Sequence, residues 1–298
     1  MTDTGFNAPG RAYRQGISLM ELADKFPDEE AAIRWFEAQL WPSGERCCGH
    51  CGSLNTAKVK HRSMPYRCRD CRQYFSVRTG TALASSRVPL RKWAFAIYLQ
   101  LTSSKGVSSM KLHRDIGVTQ KTAWFMLHRI KEAYRQPLPA AFIGPVEADE
   151  SYFGGKKPKH IPGRGTVGKT AVVGVKDRAT NMVAARVVRR TNKATLQGFI
   201  YSVTVPGALV YTDDARAYQS LPRHESVKHS VGEYVRGQAH TNGVESFWAT
   251  LKRAYHGVFH KLSPKHLDRY IREFAGKHNL RDLDTIHQNV PCSRNDER

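Results

Sequence analysis

A multidomain α/β protein is the architecture this chain predicts, and three observations carry it. A cysteine-rich stretch poor in aliphatic residues comes first, then a pair of helical segments broken at Gly117, then short β-type runs interleaved with helical ones. Domains most often run to roughly 100–150 residues, so a chain of 298 residues has room for a core domain and one or two small modules.

The elements follow in order. Pro27 with Asp28, Glu29 and Glu30 reads as a helix start, and Ala32, Ile33, Phe36 and Leu40 recur at helical spacing until Pro42-Ser43-Gly44 interrupts. A helical lead-in over residues 1–45 is expected. Residues 46–80 then lack the aliphatic content of a self-sufficient core and suit a small unit stapled by metal. Leu90 to Leu101 forms a helical stretch with Trp93, Ile97 and Leu101 on one stripe. It is followed by Ser108 to Ile116, the break at Gly117, and Gln120 to Tyr134, and a helix-turn-helix over 88–136 is predicted. Leu112, Ile116 and Val118 give the first of these helices its apolar side, and Ala123, Phe125, Leu127 and Ile130 are expected to pack the second. Beyond Pro137 and Pro139 the pattern changes to β-type runs at Thr170–Val175, Met182–Val188 and Ala208–Thr212, with a helical run at Ala194–Ile200. An α/β domain over 142–282 is expected, closed by a helix from Leu262 to His278 with Leu267, Ile271 and Phe274 inward; residues 283–298 read as a polar tail.

Charge narrows the partner. Lys and Arg number 47 against 26 Asp and Glu, a formal charge of +21 spread along the chain, which points to a polyanion and above all to nucleic acid. No apolar run approaches the roughly 20 residues of a membrane span, and Met1 to Gly10 lacks the pattern of a secretory signal. A cytoplasmic protein is expected, and six cysteines in a reducing compartment favour metal over disulfides.

Cys48-Gly49-His50-Cys51 and Cys68-Arg69-Asp70-Cys71 stand 16 residues apart, the spacing of a zinc ribbon in which four thiolates complete a tetrahedral Zn²⁺ site. Cys47 leaves the register ambiguous, and His50 is an alternative ligand. Lys58, Lys60, His61, Arg62, Arg67, Arg69 and Arg72 surround the pairs with only Asp70 opposing them, which suits contact with phosphates. In the second helix of the helix-turn-helix, Gln120, Lys121 and Thr122 lie at the N-terminus where recognition helices touch base edges, with His128 and Arg129 further along; a bundle hairpin has similar spacing.

Three acidic segments carry the chemistry. Val146-Glu147-Ala148-Asp149-Glu150 and Val210-Tyr211-Thr212-Asp213-Asp214 are apolar, β-prone runs that end in acid, and Asn242-Gly243-Val244-Glu245 opens an amphipathic helix. Acids converging from separate elements onto a pair of divalent cations read as a phosphoryl-transfer site, with DNA as substrate. Alternation does not choose between Asp213 and Asp214, whose side chains face opposite ways. At about 100° per residue, Asn242, Glu245, Ala249 and Lys252 share one sector of their helix while Val244, Trp248, Leu251 and Tyr255 form an apolar stripe. Asn242 and Glu245 also have the spacing of a capping box. Gly154 to Thr170 holds Lys156, Lys157, Lys159, Arg164 and Lys169 without an acid, a basic loop suited to gripping DNA beside Asp149.

Val146 to Gly155, Thr212-Asp213 before Ala217-Tyr218, and His240 to Trp248 with Leu251-Lys252-Arg253 together resemble the bacterial insertion-sequence transposases that join a zinc ribbon, a helix-turn-helix and a DDE catalytic domain of the RNase H-like fold. The resemblance spans about Phe26 to Leu280, and the order of ribbon, helix-turn-helix and three acidic motifs is more specific than any one motif. It implies an RNase H-like mixed sheet in the third domain, cleavage at the ends of a mobile element, and attack of the freed 3′ hydroxyls on target DNA. It assigns metal-binding carboxylates to Asp149, Asp213 and Glu245, choosing Asp213 over Asp214, and makes Lys252 the basic residue seven positions beyond. Catalytic Mg²⁺ or Mn²⁺ and structural Zn²⁺ are implied, as are double-stranded DNA of element ends and target, a homodimer or larger assembly, and a place at the bacterial nucleoid. Expected DNA contacts are Gln120, Lys121, Thr122, Arg129, Lys156, Lys157, Lys159, Arg164, Asn242 and Lys252. Gly49 departs from the family pattern, in which Pro often follows the first zinc cysteine. A non-catalytic DNA-binding regulator and an RNase H-like nuclease are the alternative functions.

Overall fold

In the computed structural model, which describes residues 16–60, 64–134, 141–154, 168–227 and 240–281, the backbone divides after Tyr134 into two units. The first begins with a helix that hydropathy does not announce, α1 (Leu19–Lys25), started by a capping box between Ser18 and Glu21. Asp28 caps α2 (Glu29–Leu40) by accepting from the Ala31 N–H at 2.7 Å, and Ala32 and Phe36 turn into the core as their spacing predicts.

The lead-in is no independent element. At the far end of α2, Glu37 accepts the Tyr66 hydroxyl at 2.6 Å, and Trp41 meets Tyr66 and Phe75 edge-on. At its near end, the Glu29 carboxylate accepts the N–H groups of Leu90 (2.7 Å) and Arg91 (2.9 Å). Those N–H groups open α3 (Leu90–Thr102), whose own cap residue, Pro89, makes no side-chain bond. A long-range carboxylate therefore satisfies donors that no local residue reaches. Between α2 and α3 lie three short antiparallel strands, β1 (Thr56–Lys58), β2 (Tyr66–Cys68) and β3 (Tyr74–Phe75).

Two helices joined by a turn at Gly117 lie where the sequence places them. Ser108 caps α4 (Ser109–Ile116), Gly117 turns the chain at φ 61° and ψ 53°, and Thr119 caps α5 (Gln120–Ala133). Leu112, Ala123, Leu127 and Ile130 are buried, but Phe125 is 51% exposed. Met126 fills the core instead, because position 126 lies on the stripe through 123 and 130 and position 125 does not. His128 also departs from expectation: it is buried with its ring 3.8 Å from that of Trp124.

The second unit is a five-stranded sheet between two helical layers. β4 (Val146–Phe153), β5 (Thr170–Asp177) and β6 (Val183–Val188) form an antiparallel meander, and β7 (Val210–Asp213) joins the other side of β4 in parallel. β8 (His224–Val227), absent from the sequence reading, extends the parallel side, giving the order β6-β5-β4-β7-β8. β4 does not end at its acid as expected; Asp149 lies mid-strand and pairing continues to Phe153. One face, through Val146, Ala148, Val173 and Val175, packs on α6 (Lys193–Val203). The opposite face, through Phe153, Val172 and Val183, packs on α7 (Asn242–Ala254) and α8 (Pro264–Asn279), which a turn of π-helix at Tyr255–Phe259 leads into. Leu267, Ile271 and Phe274 point inward from α8 as predicted. Among the described residues no helix is long and apolar enough to cross a membrane.

Candidate functional site

The four cysteines of the two Cys-x-x-Cys knuckles converge. Cys48 and Cys71 stand 3.7 Å apart at sulfur, as do Cys51 and Cys68, and all four Sγ atoms lie within 4.8 Å of one another. Four soft donors so gathered fit a tetrahedral zinc ion. The ambiguity of register disappears: the Cys47 thiol points to the Gly52 carbonyl at 3.0 Å, and His50 Nε2 meets the Tyr74 carbonyl at 3.2 Å. Gly49 also finds its reason, since a Cβ there would lie 2.4 Å from the Thr79 carbonyl oxygen. Backbone N–H bonds, that of Cys71 first, hold the Cys68 thiol down to about 7, while burial pushes Cys48 up to about 12.

In α5, Gln120 and Lys121 are exposed at the N-terminus, and Gln120 Nε2 donates to Ser109 Oγ at 2.9 Å. Thr122 shares a 2.8 Å hydroxyl contact with the cap residue Thr119. Arg129 turns inward at one end, its Nη1 donating to the Ala84 carbonyl at 2.6 Å.

Strand register relates the first two acids. β4 and β7 run parallel with Val146 opposite Val210 and Glu147 opposite Tyr211, a register that, continued two residues past its last pair, points Asp149 and Asp213 to the same face. Paired positions in a sheet share a face. Across the other edge of β4, Asp149 pairs with Gly174, and an added Cβ at Gly174 would stand 2.7 Å from the indole of Trp248 on α7. Asp149 thus faces the layer containing the helix of Glu245, and β5 has glycine at that position because Trp248 occupies its side-chain space. Glu150, one residue on, faces the α6 layer, where it accepts the hydroxyl of fully buried Tyr218 at 2.6 Å. Alternation therefore sorts adjacent acids onto two sides of one sheet.

The electrostatics agree. Burial, then Glu150 and Asp213, and last Glu245 push the Asp149 carboxyl up to about 7, while the Glu150 N–H, donating to it at 2.8 Å, pulls it down. Burial also holds Glu150 above its ordinary value, against the Tyr218 hydrogen bond. Each of the three acids has a local partner: Asp213 Oδ1 accepts the Ala215 N–H at 3.1 Å and Glu245 Oε1 accepts the Thr241 hydroxyl at 2.7 Å. Among the described residues the thiols alone form a group with ligand atoms as close as a bound ion requires. The donor chemistry of the acids, hard oxygens with unbalanced negative charge, suits divalent cations.

Asn242 is the first helical residue of α7, with Thr241 at the cap and no side-chain cap bond, so the capping box considered for Asn242 and Glu245 does not form. Asn242 and Lys252 are both exposed. Lys156, Lys157, Lys159 and Arg164 lie outside the described residues. The sequence reading left Glu147 without a role. Its side chain is 3% exposed and bonded to Arg178 Nε at 2.9 Å and the Val244 N–H at 2.9 Å. An acid at an alternate position of an apolar run, on the side of Asp149, was the available signal.

Comparison with known proteins accords with this arrangement. The ISXO2-like transposase domain matches residues 142–279, nearly the whole second unit. A protein of Halobacterium salinarum described as an uncharacterized protein in transposable element ISH50 is 31% identical over 228 residues, which cover 70% of this chain and 76% of that protein. The chain belongs to the insertion-sequence transposases. An uncharacterized transposase-like protein of Haemophilus influenzae is 29% identical over 101 residues, 33% of this transposase and 80% of its relative. For this transposase, membership makes DNA the partner in general terms, and the +21 charge is of the sign such a partner needs.

Proposed function

We propose that this chain is a DDE-type transposase that cleaves DNA at the ends of an insertion sequence and joins the freed 3′ hydroxyls to target DNA, acting as a homodimer or larger assembly. The observation that supports the reading is the parallel register of β4 on β7, which, continued two residues past Glu147 and Tyr211, would put Asp149 and Asp213 on the face covered by the helix bearing Glu245. The sheet order, with three antiparallel strands followed by two parallel ones, supports an RNase H-like catalytic domain over residues 142–282. Asp149, Asp213 and Glu245 would hold Mg²⁺ or Mn²⁺, and the cations, when bound, supply Lewis acidity at the scissile phosphate. The raised carboxyl of Asp149, pushed up first by burial and then by neighbouring acids, supports this, because such an acid is stabilised by a nearby cation.

The remaining residues bind and orient DNA. Lys252, seven residues and about two helical turns beyond Glu245, offers its ammonium to a phosphate near the cut. Gln120, Lys121 and Thr122 at the start of α5 read element ends, with Arg129 committed at one end to the fold. Asn242 and the basic residues Lys156, Lys157, Lys159 and Arg164 add contacts beside the acids. Cys48, Cys51, Cys68 and Cys71 hold Zn²⁺ and keep the ribbon folded.

The test is incubation of purified protein with candidate end sequences and Mg²⁺. Wild type is expected to nick at the ends, while Asp149→Ala, Asp213→Ala and Glu245→Ala bind the same DNA without cutting it. Robust cleavage by Asp149→Ala would overturn the assignment.

A further inference from the structure

We infer that Glu147 is a positioning residue, a buried carboxylate that clamps the N-terminus of α7 to the sheet and so fixes where Glu245 stands relative to Asp149. This inference rests on the catalytic reading above. Glu147 lies two residues before Asp149 on the same strand and the same face. Its Oε2 accepts the N–H of Val244, the third helical residue of α7, at 2.9 Å. That N–H is one of the helix-start donors that lack an intrahelical acceptor, and the cap residue Thr241 provides no side-chain bond to any of them. A sheet carboxylate does what a local cap does elsewhere, and a negative charge suits the positive end of the helix dipole. The next residue along the helix is Glu245.

The clamp is held from behind. Arg178 donates from Nε to Glu147 Oε1 at 2.9 Å and from Nη2 to the His240 carbonyl at 2.8 Å, so one guanidinium ties the carboxylate to the chain entering α7. The guanidinium also lies 4.1 Å from the centre of the Tyr211 ring, on the strand that carries Asp213. Lys176, cross-strand partner of Glu147, adds a second cation, and Glu147 keeps its ammonium from falling further under burial. A carboxylate this buried is retained at a desolvation cost, which these partners offset. Gly243 completes the fit: an added Cβ would lie 2.7 Å from Glu147 Oε2 and 3.0 Å from Lys176 Nζ. Its missing side chain is the space through which Glu147 reaches the helix.

Two variants test the clamp. Glu147→Gln preserves volume but provides one acceptor oxygen where Arg178 and Val244 require two. Gly243→Ala should favour the helix by intrinsic propensity, so a loss of function there reports the displaced carboxylate and not a weaker helix. In both, amide exchange of Val244 in divalent-free protein is expected to quicken about tenfold or more while that of Leu251 is unchanged. The Mg²⁺ concentration for half-maximal end cleavage should rise by roughly 10–100-fold, the range for outer-shell partners of metal ligands, with DNA affinity unaltered. Wild-type exchange at Val244 and a wild-type Mg²⁺ midpoint would overturn the inference, and so would faster exchange spread evenly along α7. Asp149→Ala is the control arm: if it cuts DNA, the catalytic reading fails, whereas an inactive Asp149→Ala beside a fully normal Glu147→Gln sinks the clamp alone.

Discussion

The four thiols and the three acids are placed on opposite principles. Cys48 to Cys71 is a span in which two knuckles and three short strands bring the sulfurs within 4.8 Å, whereas Asp149, Asp213 and Glu245 come from two strands and a helix almost a hundred residues apart in chain order. The thiols are gathered by local turns with almost no core of their own; the acids take their placement from a packed sheet. The cysteine unit should therefore depend on a metal ion for folding, and the acids should sit on a scaffold that folds without one.

Removing the zinc proposed for the four thiols gives the largest expected effect. Structural zinc contributes about 10–16 kcal/mol of apparent binding energy in small domains, so chelation or Cys68→Ser should unfold β1 to β3, read as newly reactive thiols and lost amide protection in 47–80. Retention of protected ribbon amides after zinc is stripped would break the comparison. Withdrawal of Mg²⁺ should leave protection in β4, β5 and β7 intact.

Next in size is Trp248→Ala. Its indole fills the space over Gly174, and truncating a buried aromatic costs about 3–5 kcal/mol; denaturant titration should show a lower midpoint for the second unit with zinc content unchanged. Gly49→Ala should destabilise the ribbon by about 1–3 kcal/mol, as overpacking does, because the obstruction is the Thr79 backbone carbonyl and not a flexible side chain. The measurement is competition for zinc against a colorimetric chelator, with weaker retention expected.

A pH dependence is also expected. The folded protein holds the Asp149 proton up to about 7, above the usual carboxylate range, so in divalent-free buffer its contribution to stability is present below about pH 4 and is lost as pH rises through 7. Wild type should lose stability relative to Asp149→Asn across that window. His278, which burial lowers to about 4, works in the opposite direction but equally in both proteins, so it cancels in the difference. A flat difference from pH 4 to 8 would mean that neither burial nor the neighbouring acids raise the Asp149 carboxyl.

Much of the fold could be read from periodicity. The helices at 29–40, 90–102, 109–116 and 120–133 and the closing helix lie within a few residues of expectation, because apolar stripes, cap residues and Gly117 are local signals. Errors came where a local pattern met a non-local demand. Phe125 has the hydrophobicity of a core residue but the wrong angle on its helix, and β4 continues past its acids because β5 pairs with it to Phe153. α1 and β8 are too short for hydropathy to reveal.

Residue chemistry and spacing alone determined that four thiols would gather and that a Gly117 turn would join two helices, while the choice of Asp149, Asp213 and Glu245 among the acids came from the resemblance to a family. The first two are matters of near neighbours along the chain. Which acid of each adjacent pair faces which layer, why Gly49, Gly174 and Gly243 carry no side chain, and that Glu147 reaches the start of α7 were decided only by tertiary structure. Strand register and helix placement set them, and both come from packing between segments that sequence order keeps far apart.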